Sequence, residues 1–117
     1  MPLVIVNLSV KVDDESTLAK FESEVSKSVG AILSKPEEWM MIEIYTGVRI
    51  YFAASSSPAA KCLVQNIGGY TKENSNKITA ALTKLINDYF KIEPTRIYTV
   101  FEEKEAQEWG WNGSTLA

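Results

Sequence analysis

The sequence contains no histidine among its 117 residues and only one cysteine, Cys62. Without histidine, the usual Ser-His-Asp and Cys-His arrangements for nucleophilic catalysis cannot be built, and a zinc site loses one of its two commonest ligands. A single cysteine excludes an internal disulfide and a CxxC redox pair. We therefore expect no metal and no cofactor, and we expect Cys62 to be a small buried apolar residue. Any acid or base must be a lysine, a tyrosine, a carboxylate or the chain's own amino group.

An excess of charge of one sign is also missing, because 12 Lys and Arg residues oppose 15 Asp and Glu residues and give a net charge of −3. No basic stripe is available to neutralise phosphates, so we expect no nucleic-acid partner. No apolar run approaches the roughly 18 residues of a transmembrane helix, and residues 3–6 are too short for the core of a signal peptide. These absences predict one domain over residues 1–117, in the cytoplasm, with no membrane partner.

The elements that are present form two strand–helix–strand units about 58 residues apart. Helices are predicted from the capping residues 13–16 to Ser34 and from Thr71 to Tyr89. Strands are predicted over residues 2–9, 39–45, 48–53, 61–67 and 97–101, and residues 109–113 form a turn-rich tail. Two such units join as an α/β fold, a four-stranded mixed sheet with both helices on one face. Because the strands look apolar on both sides, the uncovered face should be buried against copies of the same chain.

The proline at position 2 has two interpretations. Proline is tolerated at the first residue of a strand, because no ladder hydrogen bond is lost there. Alternatively, removal of Met1 would leave Pro2 with a free secondary amine, and a chain-terminal amine has an ordinary pKa of about 8. Apolar surroundings or a nearby cation lower that pKa. The nitrogen would then be unprotonated at neutral pH and able to act as a general base.

Lys35 is the candidate for the nearby cation. It follows the first helix and precedes the next strand, and in a unit with parallel strands this point lies at the same end of the sheet as residue 2. The alternative role of Lys35 is a favourable interaction with the carboxyl end of the helix.

Several short segments, taken together, make the chain resemble the macrophage migration inhibitory factor homologues of the tautomerase superfamily. They follow one another in the right order over the whole chain: Met1-Pro2, Ile5-Val6-Asn7, Lys35-Pro36, Ser55-Ser56-Ser57-Pro58, Ile67-Gly68-Gly69, Arg96-Ile97-Tyr98 and Gly110-Trp111-Asn112-Gly113-Ser114-Thr115. The resemblance implies a homotrimer of two-layer α/β subunits with active sites at the subunit boundaries. It also implies keto–enol tautomerisation of phenylpyruvate-like and dopachrome-like substrates.

The resemblance assigns a role to each matching residue. Pro2 would be the base, and Lys35 would hold the substrate carboxylate and lower the pKa of the proline amine. The main chain of Ile67 would contact the substrate, and Tyr98 would enter the pocket from a neighbouring subunit.

The remaining positions include aromatic walls and three departures from the family pattern. Trp39 and Trp111 stand where the family has aromatic pocket walls, and packing in the core or at an interface is their alternative role. Val100 replaces an asparagine that can hydrogen-bond substrate in the mammalian members. Trp109 is larger than the usual aliphatic residue and narrows the mouth of the pocket, and only Cys62 remains of the mammalian CxxC.

Two further functions stay open beside the enzyme. One is a cytokine-like protein, secreted without a signal peptide and recognised by immune receptors, although the sequence has no clear copy of the arginine and aspartate used there. The other is a trimeric binding module whose pocket survives without physiological turnover.

Overall fold

The computed structural model describes residues 1–117. Its main sheet has four strands, β1 Leu3–Leu8, β2 Met41–Tyr45, β3 Ala60–Ile67 and β4 Ile97–Lys104. The helices are α1 Glu15–Ile32 and α2 Lys72–Phe90. Three 3-10 turns, Glu37–Trp39, Pro94–Arg96 and Ala106–Glu108, and a hairpin of β5 Gly110–Trp111 and β6 Ser114–Thr115 complete the chain. Neither helix combines the length and apolar character needed to cross a membrane.

The strand order is β2-β1-β3-β4. The pairs β1–β2 and β3–β4 are parallel, and the central pair β1–β3 is antiparallel. Each parallel pair is one strand–helix–strand unit whose helix provides the crossover. The predicted mixed four-stranded sheet with two helices is confirmed.

Both helices cover the same face of the sheet, and the core lies between the two layers. The buried side chains follow a period of two along the strands and a period near 3.6 along the helices. They include Val4, Val6 and Leu8 of β1, Cys62 and Val64 of β3, Phe21, Val25 and Val29 of α1, and Ile78, Leu82 and Ile86 of α2. Removing these apolar side chains from water is the main favourable contribution to folding.

The opposite sheet face has no cover in the single chain, and it is more mixed than the sequence suggested. In one row across the sheet, Glu43, Ile5, Leu63 and Val100 lie side by side. The expectation of strands that are apolar on both sides is therefore wrong for this face, because charged residues alternate with apolar ones there.

The strand predicted over residues 48–53 is absent. The Val48 N–H donates to the Leu8 carbonyl at 3.0 Å, at the last residue of β1. Ala53 and Ala54 have positive φ angles of 53° and 56°, which an extended strand cannot contain. The apolar composition of this segment predicted a strand, but its backbone finds no ladder partner within the chain.

Two strand boundaries also differ from the sequence-based expectation. The strand predicted from residue 39 begins at Met41, because Trp39 belongs to a 3-10 turn. The strand predicted to end at residue 101 continues to Lys104, because β3 offers ladder partners as far as Ile67, which pairs with Lys104. The predicted capping residues are correct, since Asp14 and Thr71 accept hydrogen bonds at the starts of α1 and α2.

Arg96 fixes the loop that follows the missing strand. Its guanidinium group donates to backbone carbonyls of this loop at 2.9–3.2 Å, those of Phe52, Ser55, Ser57 and Pro58. Its Cζ also lies 5.3 Å from the centroid of the Phe52 ring. Two of the short sequence segments noted above, 55–58 and 96–98, are therefore joined by one side chain.

We expect Arg96→Lys to lower the free energy of unfolding by about 1–3 kcal/mol, because lysine cannot reproduce the planar fork of donors. Urea titration followed by tryptophan fluorescence measures this change. Arg49→Lys is the matched control, since Arg49 is exposed and its replacement should alter stability by no more than about 0.5 kcal/mol. Equal midpoints for the two variants would contradict the assignment.

Candidate active site

A cleft of about 460 Å³ opens at the end of the sheet where β1 begins. The amino terminus, the 3-10 turn before β2, the ends of β3 and β4 and the carboxyl-terminal hairpin all contribute to it. Its lining includes Met1, Pro2, Trp39, Gln65, Lys104 and Trp111. The fold brings Pro2 and the two expected aromatic wall residues, Trp39 and Trp111, to this one cleft.

Pro2 is buried, and its carbonyl accepts a hydrogen bond from the Met41 N–H at 3.1 Å. This bond begins the pairing of β1 with β2, and the missing N–H of proline costs nothing because the residue precedes the strand. The structural role of a proline at the strand start is therefore real. It also holds the residue in the lining of the cleft.

The amino terminus, here carried by Met1, has a pKa below its usual range. Burial is the larger cause and the positive charge of Lys35 is the second. Both disfavour the ammonium form. Lys35 is itself exposed and lies outside the cleft lining, yet it is close enough for its charge to act on the amine.

A tight turn after α1 places Lys35 at this end of the sheet. Ser34 has a left-handed φ of 55°, and the Lys35 N–H returns to donate to the Gly30 carbonyl at 2.8 Å. A Cβ atom at Gly30 would lie only 3.0 Å from the Lys35 carbonyl oxygen. The glycine therefore permits the close approach of the chain that carries Lys35 past the end of the helix.

Trp39 and Trp111 form an edge-to-face pair with ring centroids 5.1 Å apart and an interplanar angle of 79°. Both also line the cleft, together with Trp109. Packing and wall formation are therefore not alternatives here, because each ring supports the other while presenting its remaining surface to the cleft. A flat ligand suits such walls.

Tyr98 and Val100 are not brought to this cleft by the single chain. Tyr98 pairs with Lys61, which pairs with Asn7, so Tyr98 lies toward the far end of β1 from Pro2. Val100 lies in the middle of the sheet, in the row of Ile5 and Leu63. Tyr98 is 61% exposed and Val100 is 43% exposed. The contribution of Tyr98 to a neighbouring subunit's pocket stays a prediction, and so does the place of Val100 at the substrate.

Ile67 lies at the cleft end of β3, but its side chain is not part of the lining. It pairs with Lys104 across the β3–β4 ladder, and the chain then turns through Gly68 and Gly69, both with positive φ. The proposed main-chain contact between Ile67 and a substrate also stays a prediction.

The polar members of the cleft were not predicted from the sequence; they are Glu38, Gln65, Lys104 and Glu108. Lys104 was not predicted as a cleft residue because the last strand was expected to end at residue 101. Alternate residues of β4 lie on one face of the sheet, and this alternation continues past residue 101: Tyr98, Val100, Glu102 and Lys104. The continued alternation was the sequence signal for a longer strand.

Cys62 is fully buried in the core, as predicted. Burial raises the pKa of its thiol to about 12, so the reactive thiolate is scarce at neutral pH. No group of three or more His, Cys, Asp or Glu side chains is placed to hold a metal ion.

The mixed sheet with two crossover helices, and a cleft built around the chain terminus, define a two-layer α/β protein of the tautomerase fold. The sequence matches the family described as Macrophage migration inhibitory factor (MIF) over residues 1–117, and the chain belongs to this family.

Individual relatives agree with the family assignment over nearly their whole length. A macrophage migration inhibitory factor homolog from Trichinella spiralis is 32% identical over 116 residues, covering 99% of this chain and all of the relative. Macrophage migration inhibitory factor from Rattus norvegicus is 29% identical over 117 residues, with all of both chains covered. The crystal structure of a homologue from Prochlorococcus marinus superposes with a TM-score of 0.92 at 28% identity, covering 98% of this chain and 99% of that one.

Proposed function

We propose that this protein is a keto–enol tautomerase of phenylpyruvate-like and dopachrome-like substrates, with Pro2 as the general base after removal of Met1. The observation that carries the proposal is an amino terminus that lies in an aromatic-walled cleft, where burial and the charge of Lys35 lower the pKa of the amine that Met1 carries. A Pro2 amine in the same surroundings would give a chain without histidine a base with a larger unprotonated fraction than a free terminus has.

The chemistry is a balanced transfer of one proton within the substrate. The neutral Pro2 nitrogen takes the proton from the carbon next to the keto group of a 2-oxo acid. The electron pair of that C–H bond forms the C=C bond, and the carbonyl π pair becomes a lone pair on oxygen. Return of a proton to this oxygen gives the enol and restores the neutral amine, so neither a cofactor nor an oxidant is consumed.

The other residues of the site would bind different parts of the substrate. Lys35 would hold the substrate carboxylate, Trp39 and Trp111 would flank the ring, and the main chain of Ile67 would contact the bound molecule. These roles agree with the position of Lys35 beside the amine and of both tryptophans on the cleft wall.

The site would be completed in a homotrimer, with Tyr98 and Val100 supplied by a neighbouring subunit. The exposed positions of both residues and the uncovered sheet face support this arrangement. Light scattering of the purified protein should give three times the subunit mass of 13.0 kDa. A monomer that is nonetheless active would exclude a shared site.

We expect Lys35→Met to shift the rising limb of the kcat/KM profile toward higher pH. The amine acts only when unprotonated, so activity rises through its pKa, and loss of the Lys35 charge raises that pKa. The KM for phenylpyruvate should also increase about tenfold, because a charge-assisted contact to its carboxylate is lost. Lys20→Met, which removes an exposed charge from α1, is the control. Superimposable profiles for the two variants would remove Lys35 from the site.

The direct test of the function is an assay of untagged protein with p-hydroxyphenylpyruvate, followed as the change in ultraviolet absorbance of the enol. Mass spectrometry of the same sample should show loss of Met1. Protein that lacks Met1, is folded and still gives no turnover above the buffer rate would refute the proposal.

A second candidate function is extracellular signalling, and the name of the Rattus norvegicus relative favours it. It would require that the protein, which we expect in the cytoplasm, is also secreted without a signal peptide. Purified wild-type and Pro2→Gly proteins, applied to cultured macrophages in a migration assay, separate the candidates. Equal inhibition by both proteins would mean that signalling is independent of the chemistry, and no effect from either would count against this function.

A further inference from the structure

We propose that Lys104 is a second anion-binding residue of the cleft, and that the preferred substrates are aromatic 2-oxo acids with another anionic group on the ring, remote from the 2-oxo carboxylate. This inference rests on the proposed tautomerase function and defines the substrate class of the same site.

Strand register places Lys104 and Lys35 on opposite sides of the amino terminus. On one side, Leu3 of β1 pairs with Met41 of β2, the strand that Lys35 precedes. On the other side, Leu3 pairs with Gln65 of β3, and Lys104 of β4 pairs with Ile67, two residues beyond Gln65 toward the same end of the sheet. Two strand spacings, about 10 Å at the backbone, separate β1 from β4, the strand that carries Lys104.

The two lysines also act on different parts of the site. Burial and the charge of Lys35 lower the pKa of the terminal amine that Met1 carries. Lys104 lines the cleft, whereas Lys35 does not. A ligand whose carboxylate lies at Lys35 would therefore extend past the amine with its far end toward Lys104.

The Lys104 ammonium group has no close acceptor within the chain. Its ion-pair partner is Glu102, at 3.9 Å, which is beyond hydrogen-bond distance. The same Glu102 oxygen already accepts a hydrogen bond of 2.6 Å from the Gln65 amide. The Lys104 side chain is only 35% exposed. It is thus a partly desolvated cation whose N–H donors are not engaged by close acceptors. Hydrogen bonds from such a cation to an anionic ligand are strong.

Two carboxylates in the cleft restrict where such an anion can lie. Glu108 Oε1 accepts a hydrogen bond from the Glu105 N–H at 3.0 Å, which holds it in the last 3-10 turn, and Glu38 belongs to the turn before β2. Both repel an anionic group that does not reach a lysine. Their presence favours ligands whose two anionic groups match the two lysines over ligands with a charge placed elsewhere.

The test compares two substrates that differ by one charge, phenylpyruvate and 4-carboxyphenylpyruvate, on untagged trimeric protein. The wild type should favour the diacid. Lys104→Met should lower kcat/KM for the diacid about tenfold, mainly through KM, and leave phenylpyruvate within about twofold. Lys104→Arg should keep the preference, and the control Lys20→Met should behave as the wild type. The pH profile should stay in place in all four proteins, because β3 lies between the strand that begins at the amine and β4, which carries Lys104.

Equal rates on both substrates in the wild type, or an equal loss on both in Lys104→Met, would overturn the role of Lys104 while the tautomerase function stands. If the wild type turns over neither substrate, the proposed function fails, and the anion site is then judged by binding alone. Tryptophan fluorescence titration with terephthalate and with benzoate serves that purpose. Lys104→Met should weaken terephthalate about tenfold and leave benzoate unchanged, and equal affinities of wild type and variant for terephthalate would overturn the site.

Discussion

Replacing Pro2 with glycine is expected to lower kcat/KM for p-hydroxyphenylpyruvate by about 10²- to 10⁴-fold, the contribution typical of a positioned general base. Glycine keeps the backbone carbonyl that accepts from the Met41 N–H, so the start of β1 is preserved. It leaves a primary amine on a freely rotating residue. In the proposed mechanism the pyrrolidine ring holds the nitrogen lone pair toward the substrate, and glycine no longer fixes this direction.

A protein with one extra glycine ahead of Pro2 is the complementary variant. Its proline nitrogen is part of a peptide bond and cannot accept a proton, so this variant should be at least as inactive as Pro2→Gly. Light scattering and circular dichroism should show the wild-type assembly and fold for both. Undiminished turnover by the extended protein would show that the base is another group.

The parts of the fold predicted correctly are those whose signals are local. The side chains of Asp14 and Thr71 cap the two helices, so these residues mark the helix starts in the sequence. The buried residues of β1 alternate, as expected for a strand covered on one face. The approach of Lys35 to the amino terminus follows from the parallel crossover alone. That one topological rule, applied to two residues, was enough to locate the candidate site.

The missed parts depend on contacts between distant residues. The loop over residues 52–58 is held by Arg96, a side chain 38–44 residues away. No local sequence pattern reveals this contact. The end of β4 at Lys104 depends on the length of β3, which supplies its partners. Lys104 is therefore found only when both strands are paired. The proposed roles of Tyr98 and Val100 depend on the assembly of subunits, because neither residue lines the cleft of its own chain.

Phe21→Ala is expected to lower the free energy of unfolding by about 3–5 kcal/mol, the loss typical of removing a large buried aromatic side chain. Phe21 is fully buried in α1. Its ring makes edge contacts with two rings of α2, Tyr89 at 5.6 Å and Phe90 at 4.9 Å between centroids. Its removal leaves a cavity between the two helices and reduces their contact with the sheet. In a domain of this size the melting temperature should fall by roughly 10–20 °C.

Differential scanning fluorimetry and urea titration measure this loss. The control is Lys20→Ala, one residue away on the exposed side of α1, which should change the free energy of unfolding by no more than about 0.5 kcal/mol. All proteins must be compared at one concentration, because any association between subunits stabilises the folded state by mass action. Below its melting temperature, Phe21→Ala should keep the wild-type KM for phenylpyruvate, since the ring touches no part of the cleft. A changed KM with unchanged stability would mean that the helix pair acts on the site directly, and the separation of core from chemistry argued here would be wrong.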